Sequence, residues 1–157
     1  MANPLPVNAE ENCCVEEVGQ MVQRLVRMLQ LFERDQIKPY GITSSQCYTL
    51  LEIAKSEHLS MTELSSKMNL DTSTMTRVIG NLVRDDLVER LRDDSDRRFV
   101  TVRLTTRGRD FAAQLRQSIE LYYCDIVSAI PTGQVEQVLQ ASNTLLAAFE
   151  KANPNCC

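Results

Sequence analysis

Residues 60–108 read SMTELSSKMNLDTSTMTRVIGNLVRDDLVERLRDDSDRRFVTVRLTTRG, and their punctuation decides the fold. Ser60-Met61-Thr62-Glu63 fits a capping box, in which a hydroxyl and a carboxylate three residues on satisfy backbone donors left over at a helix start. A short helix over 62–68 then stops at Asn69, and Asp71 is placed to cap the next one. In that second helix Met75, Val78, Ile79, Leu82 and Val83 make the buried face. A step of 100° per residue leaves Ser73, Thr76, Arg77, Gly80, Asn81 and Arg84 pointing outward. After Leu87 the period shortens to two: segments 88–92 and 99–104 read as strands, with Val100, Val102 and Leu104 alternating with Thr101 and Arg103. The polar residues 93–98 between them read as a hairpin connection.

A short helix, a tight turn, a second helix with a polar outer face and an arginine-tipped ribbon make a winged helix-turn-helix. The second helix suits a major groove, with Ser73, Thr74, Thr76 and Arg77 in its first turn and a half placed to reach base edges and phosphates. Its N-terminus adds backbone N–H groups for phosphate. Arg97 and Arg98 suit the adjacent minor groove, whose negative potential favours arginine.

Outward from this core, Thr43-Ser44-Ser45-Gln46 is a second capping box, opening a helix to about Ser56 with Cys47, Leu50, Leu51 and Ala54 on one face. Thr105 opens a long helix with the stripe Phe111, Leu115, Ile119, Tyr122, Ile126 and Ile130, ending at Pro131. At the two ends, Val15, Val18, Val22, Leu25, Leu29 and Phe32 recur in steps of three and four, and Val135, Val138, Leu145 and Phe149 follow the same spacing with Ser142 in the intervening slot. The first of these helices is expected to end at Pro39, because the residue before a proline is pushed away from helical dihedrals. Both terminal helices carry more apolar surface than one chain needs, which predicts that they pack between two protomers. The expected organisation is therefore a flexible segment 1–14 carrying a cysteine pair, dimerisation helices 15–40 and 111–152, a DNA-binding domain 41–110, and a tail 153–157 carrying a second pair. The fold class is mainly α with a small β-ribbon.

Composition agrees and excludes alternatives. The chain has 157 residues, 43% hydrophobic and 24% charged, which suits one ordinary folded domain rather than a disordered chain. No apolar run approaches the roughly 20 residues of a membrane span, and the N-terminus lacks a leader pattern, so a cytoplasmic protein with no membrane partner is expected. Aromatic content is 5% with no Trp, which disfavours base-stacking platforms. The net charge of −4 hides a patch. Residues 72–110 hold nine basic residues, all arginine, against seven acids, a local net of +2; the flanks are −4 and −2. Arginine's planar fork suits phosphates and base edges. No Gly-rich phosphate loop or nucleophile motif is present and there is one histidine, His58, so an enzyme is not expected.

At these residues the sequence resembles the MarR family of bacterial transcriptional regulators. The similarity lies in residues 64–70 and Asp71-Thr72-Ser73-Thr74-Met75-Thr76-Arg77, like the family's recognition-helix segment, and in Asp94-Ser95-Asp96-Arg97-Arg98 with Val102-Arg103-Leu104-Thr105-Thr106-Arg107-Gly108, like its wing and exit. The resemblance implies a homodimer with interlocked N- and C-terminal helices. Such a dimer would bind double-stranded, pseudo-palindromic operator DNA as a repressor, with recognition helices about one turn (roughly 34 Å) apart.

Six cysteines, Cys13, Cys14, Cys47, Cys124, Cys156 and Cys157, are the unusual feature. They form no Cys/His zinc pattern. Cys47 lies in an apolar stripe and reads as core, whereas Cys124 lies about 130° from the centre of its helix's stripe and reads as accessible. The pairs Cys13-Cys14 and Cys156-Cys157 flank the terminal helices, and thiolates gathered there suit soft ions: arsenic or antimony(III), mercury, cadmium or copper(I). DNA binding itself requires no cofactor, and the ion is expected to act as an effector that releases the operator. Two alternatives stand beside it. One is thiol oxidation, for which the resemblance implies Cys13 or Cys14 as sensing thiol and Cys124 as partner. The other is a small aromatic ligand between the DNA-binding and dimer regions. A soft-metal buffer is a further class, but it has no use for Arg97 and Arg98 on a hairpin tip.

Overall fold

A computed structural model of the protein describes residues 9–56, 58–92 and 100–152. The chain divides into two compact units, Met1–Gly41 and Ile42–Cys157.

The first unit is one long helix, α1 (Ala9–Phe32), continued by a π-helical turn at Glu33–Ile37 and a 3₁₀ turn at Lys38–Tyr40. The helix begins six residues before Val15, so the segment expected to be flexible is helical from Ala9 onward. Pro39 does not end it. Lys38 keeps helical dihedrals (φ −56°, ψ −35°), because its N–H is held by the Glu33 carbonyl and the bias of the residue before a proline is a preference that a hydrogen bond offsets. Pro39 falls in the first turn of the 3₁₀ segment, where a missing N–H costs nothing. Gly41 ends the run instead, in the left-handed region at φ +75°. Phe32 and Ile37 are buried, while Val15, Val18, Met21, Leu25, Val26, Met28, Leu29 and Leu31 are 40–64% exposed.

The second unit is the winged helix-turn-helix with two further helices. Helix α2 (Ser44–Ile53) starts at the expected capping box: Thr43 Oγ1 accepts the Gln46 N–H at 3.3 Å and Gln46 Oε1 accepts the Thr43 N–H at 2.9 Å. It ends three residues before Ser56. Cys47, Leu50 and Ile53 are its buried apolar residues, whereas Leu51 and Ala54 are half-buried. Strand β1 (Leu59–Ser60) leads into α3 (Met61–Met68), whose box joins Ser60 and Glu63. Asn69 then takes the left-handed region at φ +50°, and the Leu70 N–H bonds the Ser65 carbonyl at 3.0 Å, which stops α3 cleanly.

Helix α4 (Thr72–Arg84) buries Met75, Val78, Ile79 and Leu82 as its spacing predicts. Val83 departs from that reading and is 37% exposed, because the chain turns away at Asp85 and Asp86 and Leu87 fills the buried position instead. The ribbon is β2 (Val88–Arg92) antiparallel to β3 (Val100–Leu104), in register Val88↔Leu104 to Arg92↔Val100. It is not a ribbon alone: β1 adds to its other edge through Leu59↔Val102 and Ser60↔Thr101, giving a three-stranded sheet in the order β1-β3-β2. Val102 and Leu104 point into the core with Leu50, Ile53, Leu64, Ile79 and Leu115.

Helix α5 (Thr106–Ala129) is capped by Thr105. Its start is fixed by a close approach: the Thr105 hydroxyl donates to the Asp86 carbonyl at 2.8 Å, the Thr105 N–H donates to the Leu87 carbonyl at 3.2 Å, and a side chain on Gly108 would put its Cβ 1.8 Å from that same Leu87 oxygen. Ala112, Leu115 and Ile119 bury its first half. Further along, Leu121, Tyr123, Ile126 and Val127 are exposed, and helix α6 (Val135–Ala152) has no buried residue. No helix among the described residues is long and apolar enough to cross a membrane.

Candidate nucleic-acid interface

The interface is built on α4, held from beneath by its four buried residues and from the side by α3 and β2. Thr72, Ser73, Thr76, Arg77 and Arg84 stand exposed on its outer face, with Thr74, Gly80 and Asn81 half-buried beside them. The expected face is therefore assembled.

Its hydrogen bonds add what the spacing could not supply. Asp71 caps the helix with both carboxylate oxygens: Oδ1 accepts the Thr74 N–H at 2.9 Å and the Ser73 hydroxyl, and Oδ2 accepts the Thr74 hydroxyl at 2.7 Å. The Thr76 hydroxyl donates to the Thr72 carbonyl at 2.7 Å. All three hydroxyls expected to contact DNA have thus spent their protons within the helix. They offer lone pairs only, which suit amino groups of bases and not phosphate oxygens. Of the backbone N–H groups at the helix start that were expected to serve phosphate, that of Thr74 is occupied by the cap.

The hydroxyls of Ser73 and Thr74, followed by the Thr74 N–H, hold the Asp71 carboxyl well below the usual carboxylate range. A pKa lower in the folded than in the unfolded chain gives stability that is present above the ordinary value of 3.8 and is lost as the pH falls below it. Asp71→Asn is expected to flatten the acid limb of the stability curve while leaving the neutral plateau little changed, since Asn caps helices about as well as Asp. Thermal melts from pH 7 to pH 2 check this, and an unchanged acid limb would refute it.

Cations around α4 divide into engaged and available. Arg84 pairs with Asp85 at 3.3 Å, and Arg103 pairs across the ladder with Glu89 at 2.8 Å. Arg109 donates to the Leu104 carbonyl at 3.2 Å and to Thr106 at 3.1 Å. Arg77 has no ion-pair partner among the described residues and is exposed, so it is the cation of this helix available for DNA. Arg97 and Arg98 lie between β2 and β3, outside the described residues. Behind α4, Glu52 of α2 bridges Lys55 at 2.6 Å and Lys67 of α3 at 2.9 Å, tying the helix that precedes the turn to the core.

Three thiols are described. Cys14 on α1 and Cys124 on α5 are exposed, as Cys124 was expected to be, and Cys47 is fully buried. The Cys13 side chain, Cys156 and Cys157 lie outside the described residues. Among the described residues no three Cys, His, Asp or Glu side chains gather as a metal site. Burial pushes the Cys47 thiol up to about 11, so the nucleophilic thiolate is scarce there at neutral pH. Iodoacetamide at pH 7.5 is expected to leave Cys47 unmodified in the native protein and to alkylate it in denaturant, read by peptide mass spectrometry. Native labelling at Cys47 would contradict the burial.

Among the described residues of the second unit, cavities open at two places. One of about 430 Å³ sits among α2, α3 and α5, lined by Tyr48, Leu51, Met68, Ile119 and Tyr123 together with the charged Glu52, Lys55, Arg116 and Glu120. The other, about 520 Å³, opens between the end of α2 and the sheet at Lys55, His58, Arg103 and Arg109.

A helix-turn-helix with a polar recognition face, closed by a three-stranded wing, defines a winged-helix DNA-binding protein. Residues 40–98 match the family model described as MarR family. The transcriptional regulator BilQ of Clostridioides difficile is 24% identical over 106 residues, covering 68% of this chain and 72% of that protein. The regulator SarZ of Staphylococcus epidermidis is 33% identical over 76 residues, 48% of this chain and 51% of SarZ, so the chain spans about half the length of that relative. Among solved structures, a cysteine-to-serine mutant of Escherichia coli MarR complexed with operator DNA superposes with a TM-score of 0.67 at 26% identity, covering 80% of this chain and 93% of that one. Over residues 40–98 the chain is thus similar to the MarR family, and the relatives named here are transcriptional regulators.

Proposed function

We propose that the protein is a homodimeric repressor that binds a pseudo-palindromic operator through α4 and the wing, and that its cysteine thiols control release from DNA. The observation that carries the DNA reading is the outer face of α4, on which exposed Ser73, Thr76 and Arg77 stand over a fully packed inner face. Arg97 and Arg98 extend the contact to the minor groove in this reading. The exposed apolar residues of α1 and α6 support the dimer, since single chains rarely leave so much contiguous apolar surface in water. The MarR–operator complex among the structural neighbours supports DNA as partner.

For the signal, six cysteines with adjacent pairs at 13–14 and 156–157 favour a soft ion such as arsenic(III), antimony(III), mercury, cadmium or copper(I), bound by thiolates. The exposure of Cys14 and Cys124 favours thiol oxidation as a second chemistry at the same residues. A third reading, a small aromatic acid, is favoured by the cavity between Tyr48, Tyr123 and Arg116.

The test is fluorescence anisotropy with DNA from upstream of the protein's own gene, under reducing conditions, with and without each soft ion, then with cumene hydroperoxide, then with salicylate. Release by a soft ion that serine at Cys13, Cys14, Cys156 and Cys157 abolishes supports the metal sensor. Release by peroxide alone assigns the thiols to redox sensing, and release by salicylate alone assigns control to the cavity. Absence of sequence-selective binding overturns the DNA reading itself.

A further inference from the structure

We infer that Asp71 is a positioning residue that fixes the polarity of base readout: by taking the protons of Ser73 and Thr74, it leaves the N-terminal turn of α4 able to read exocyclic amines. This rests on the reading of α4 as the recognition helix. A hydroxyl is ordinarily ambivalent, one donor and two acceptor lone pairs, and it rotates to suit whatever it meets. Here the rotation is removed. Both oxygens of one carboxylate are committed, Oδ1 to the Ser73 hydroxyl and the Thr74 N–H, and Oδ2 to the Thr74 hydroxyl.

Hydrogen bonds to an ionised acceptor are roughly twice as strong as neutral ones, so a neutral base acceptor competes poorly for these protons. Phosphate oxygens, guanine O6 and N7, and thymine O4 are acceptors only. The adenine N6 and cytosine N4 amines are the major-groove donors. Ser73 and Thr74 therefore meet amines, while Arg77, a donor with no acceptor capacity, meets guanine or phosphate. The carboxylate brings negative charge to the DNA-facing end of the helix, which weakens phosphate attraction there. It gains in exchange a fixed donor and acceptor pattern along α4.

Asp71→Asn isolates this role. Its Oδ1 still caps the Thr74 N–H, so the helix start is retained. Its amide nitrogen cannot accept the Thr74 hydroxyl proton, so that hydroxyl regains its freedom, whereas Ser73 keeps Oδ1 as its acceptor.

The experiment selects binding sites for the full-length protein from a randomised duplex pool. It then measures affinities for the selected duplex with single functional groups deleted. Purine in place of adenine and 2-pyrimidinone in place of cytosine remove the amine, whereas 7-deazapurines remove an acceptor. Each duplex is titrated with the wild type, Ser73→Ala, Thr74→Val and Asp71→Asn, giving double-mutant cycles that cancel effects on DNA pairing.

At one or more positions, deleting an amine is expected to weaken wild-type binding by about 5-fold, as one hydrogen bond of ordinary net strength would. The penalty is expected to vanish in Ser73→Ala or Thr74→Val and, where Thr74 carries it, to shrink in Asp71→Asn. Coupling of either hydroxyl to a 7-deaza position instead, an amine penalty carried by Thr74 and undiminished in Asp71→Asn, or no coupling to any position overturns the inference and leaves the DNA reading standing. Failure to select any sequence overturns both. Ser73→Ala leaves the Thr74 cap bonds in place, so its cycle decides the point even if Asp71→Asn folds poorly.

Discussion

Replacing Gly108 by alanine is expected to lower the melting temperature by about 10 °C, the equivalent of roughly 3 kcal/mol in a chain of this size. An added Cβ would sit 1.8 Å from the Leu87 carbonyl oxygen and 2.8 Å from its carbon, both backbone atoms that no rotamer change can move aside. The carbonyl cannot retreat without cost, since it accepts the Thr105 N–H one turn before the glycine. Gly80, also inside a helix, meets nothing within 4 Å of a Cβ. Gly80→Ala is therefore the control, expected to be stabilising by about 0.5–1 kcal/mol through helix propensity. Circular-dichroism melts decide: a Gly108→Ala protein melting within 2 or 3 °C of wild type, a margin below about 1 kcal/mol, would show that the approach is not a constraint.

Disrupting α6 is expected to have the largest effect on DNA binding. Leu139 and Leu146 lie seven residues apart on one face and are 58% and 59% exposed in the single chain. Glutamate at both positions costs the isolated protomer little, because neither side chain is in its core. In a dimer each charge would be placed in an apolar interface without a partner. The double variant is expected to run in light scattering at the monomer mass of 17.8 kDa. Its operator affinity is expected to fall on the order of 10²-fold, since two half-sites then bind without the gain of linkage. A variant that remains dimeric would remove α6 from the interface.

The sequence disclosed the parts of this fold whose chemistry is local. Thr43 with Gln46, Ser60 with Glu63, and Asp71 announce helix starts because each cap is a bond between neighbours in sequence, and each is found. What depends on distant residues stayed hidden. Two residues, Leu59 and Ser60, are too few to show a period, and they are a strand only because β3 presents them an edge. Val83 has the spacing of a core residue, but α4 ends beneath it and Leu87 takes its place. Lys38 keeps helical dihedrals because Glu33 reaches it through a wider turn.

The candidate interface divides in the same way. Residue types at 73, 74, 76 and 77 were legible from the 100° step. The direction in which the hydroxyl protons point was not, because it belongs to the carboxylate at position 71 and not to the hydroxyls themselves. Among the thiols, the burial of Cys47 followed from its stripe and the exposure of Cys124 from its angle. The grouping of the terminal pairs depends on residues beyond the described part of the chain.

The contact that joins Thr105, Leu87 and Gly108 also has a mechanical meaning. It welds the first turn of α5 to the turn that feeds the wing, so this end of the helix has no slack. A helix of 24 residues is about 36 Å long. A lever of that length, fixed at one end, converts a tilt of about 5° into a displacement of about 3 Å at the other, close to the 3.4 Å rise of one base pair. A displacement of that size at the far end of α5, where Cys124 lies, is passed to the turn that feeds the wing as a tilt of about 5°.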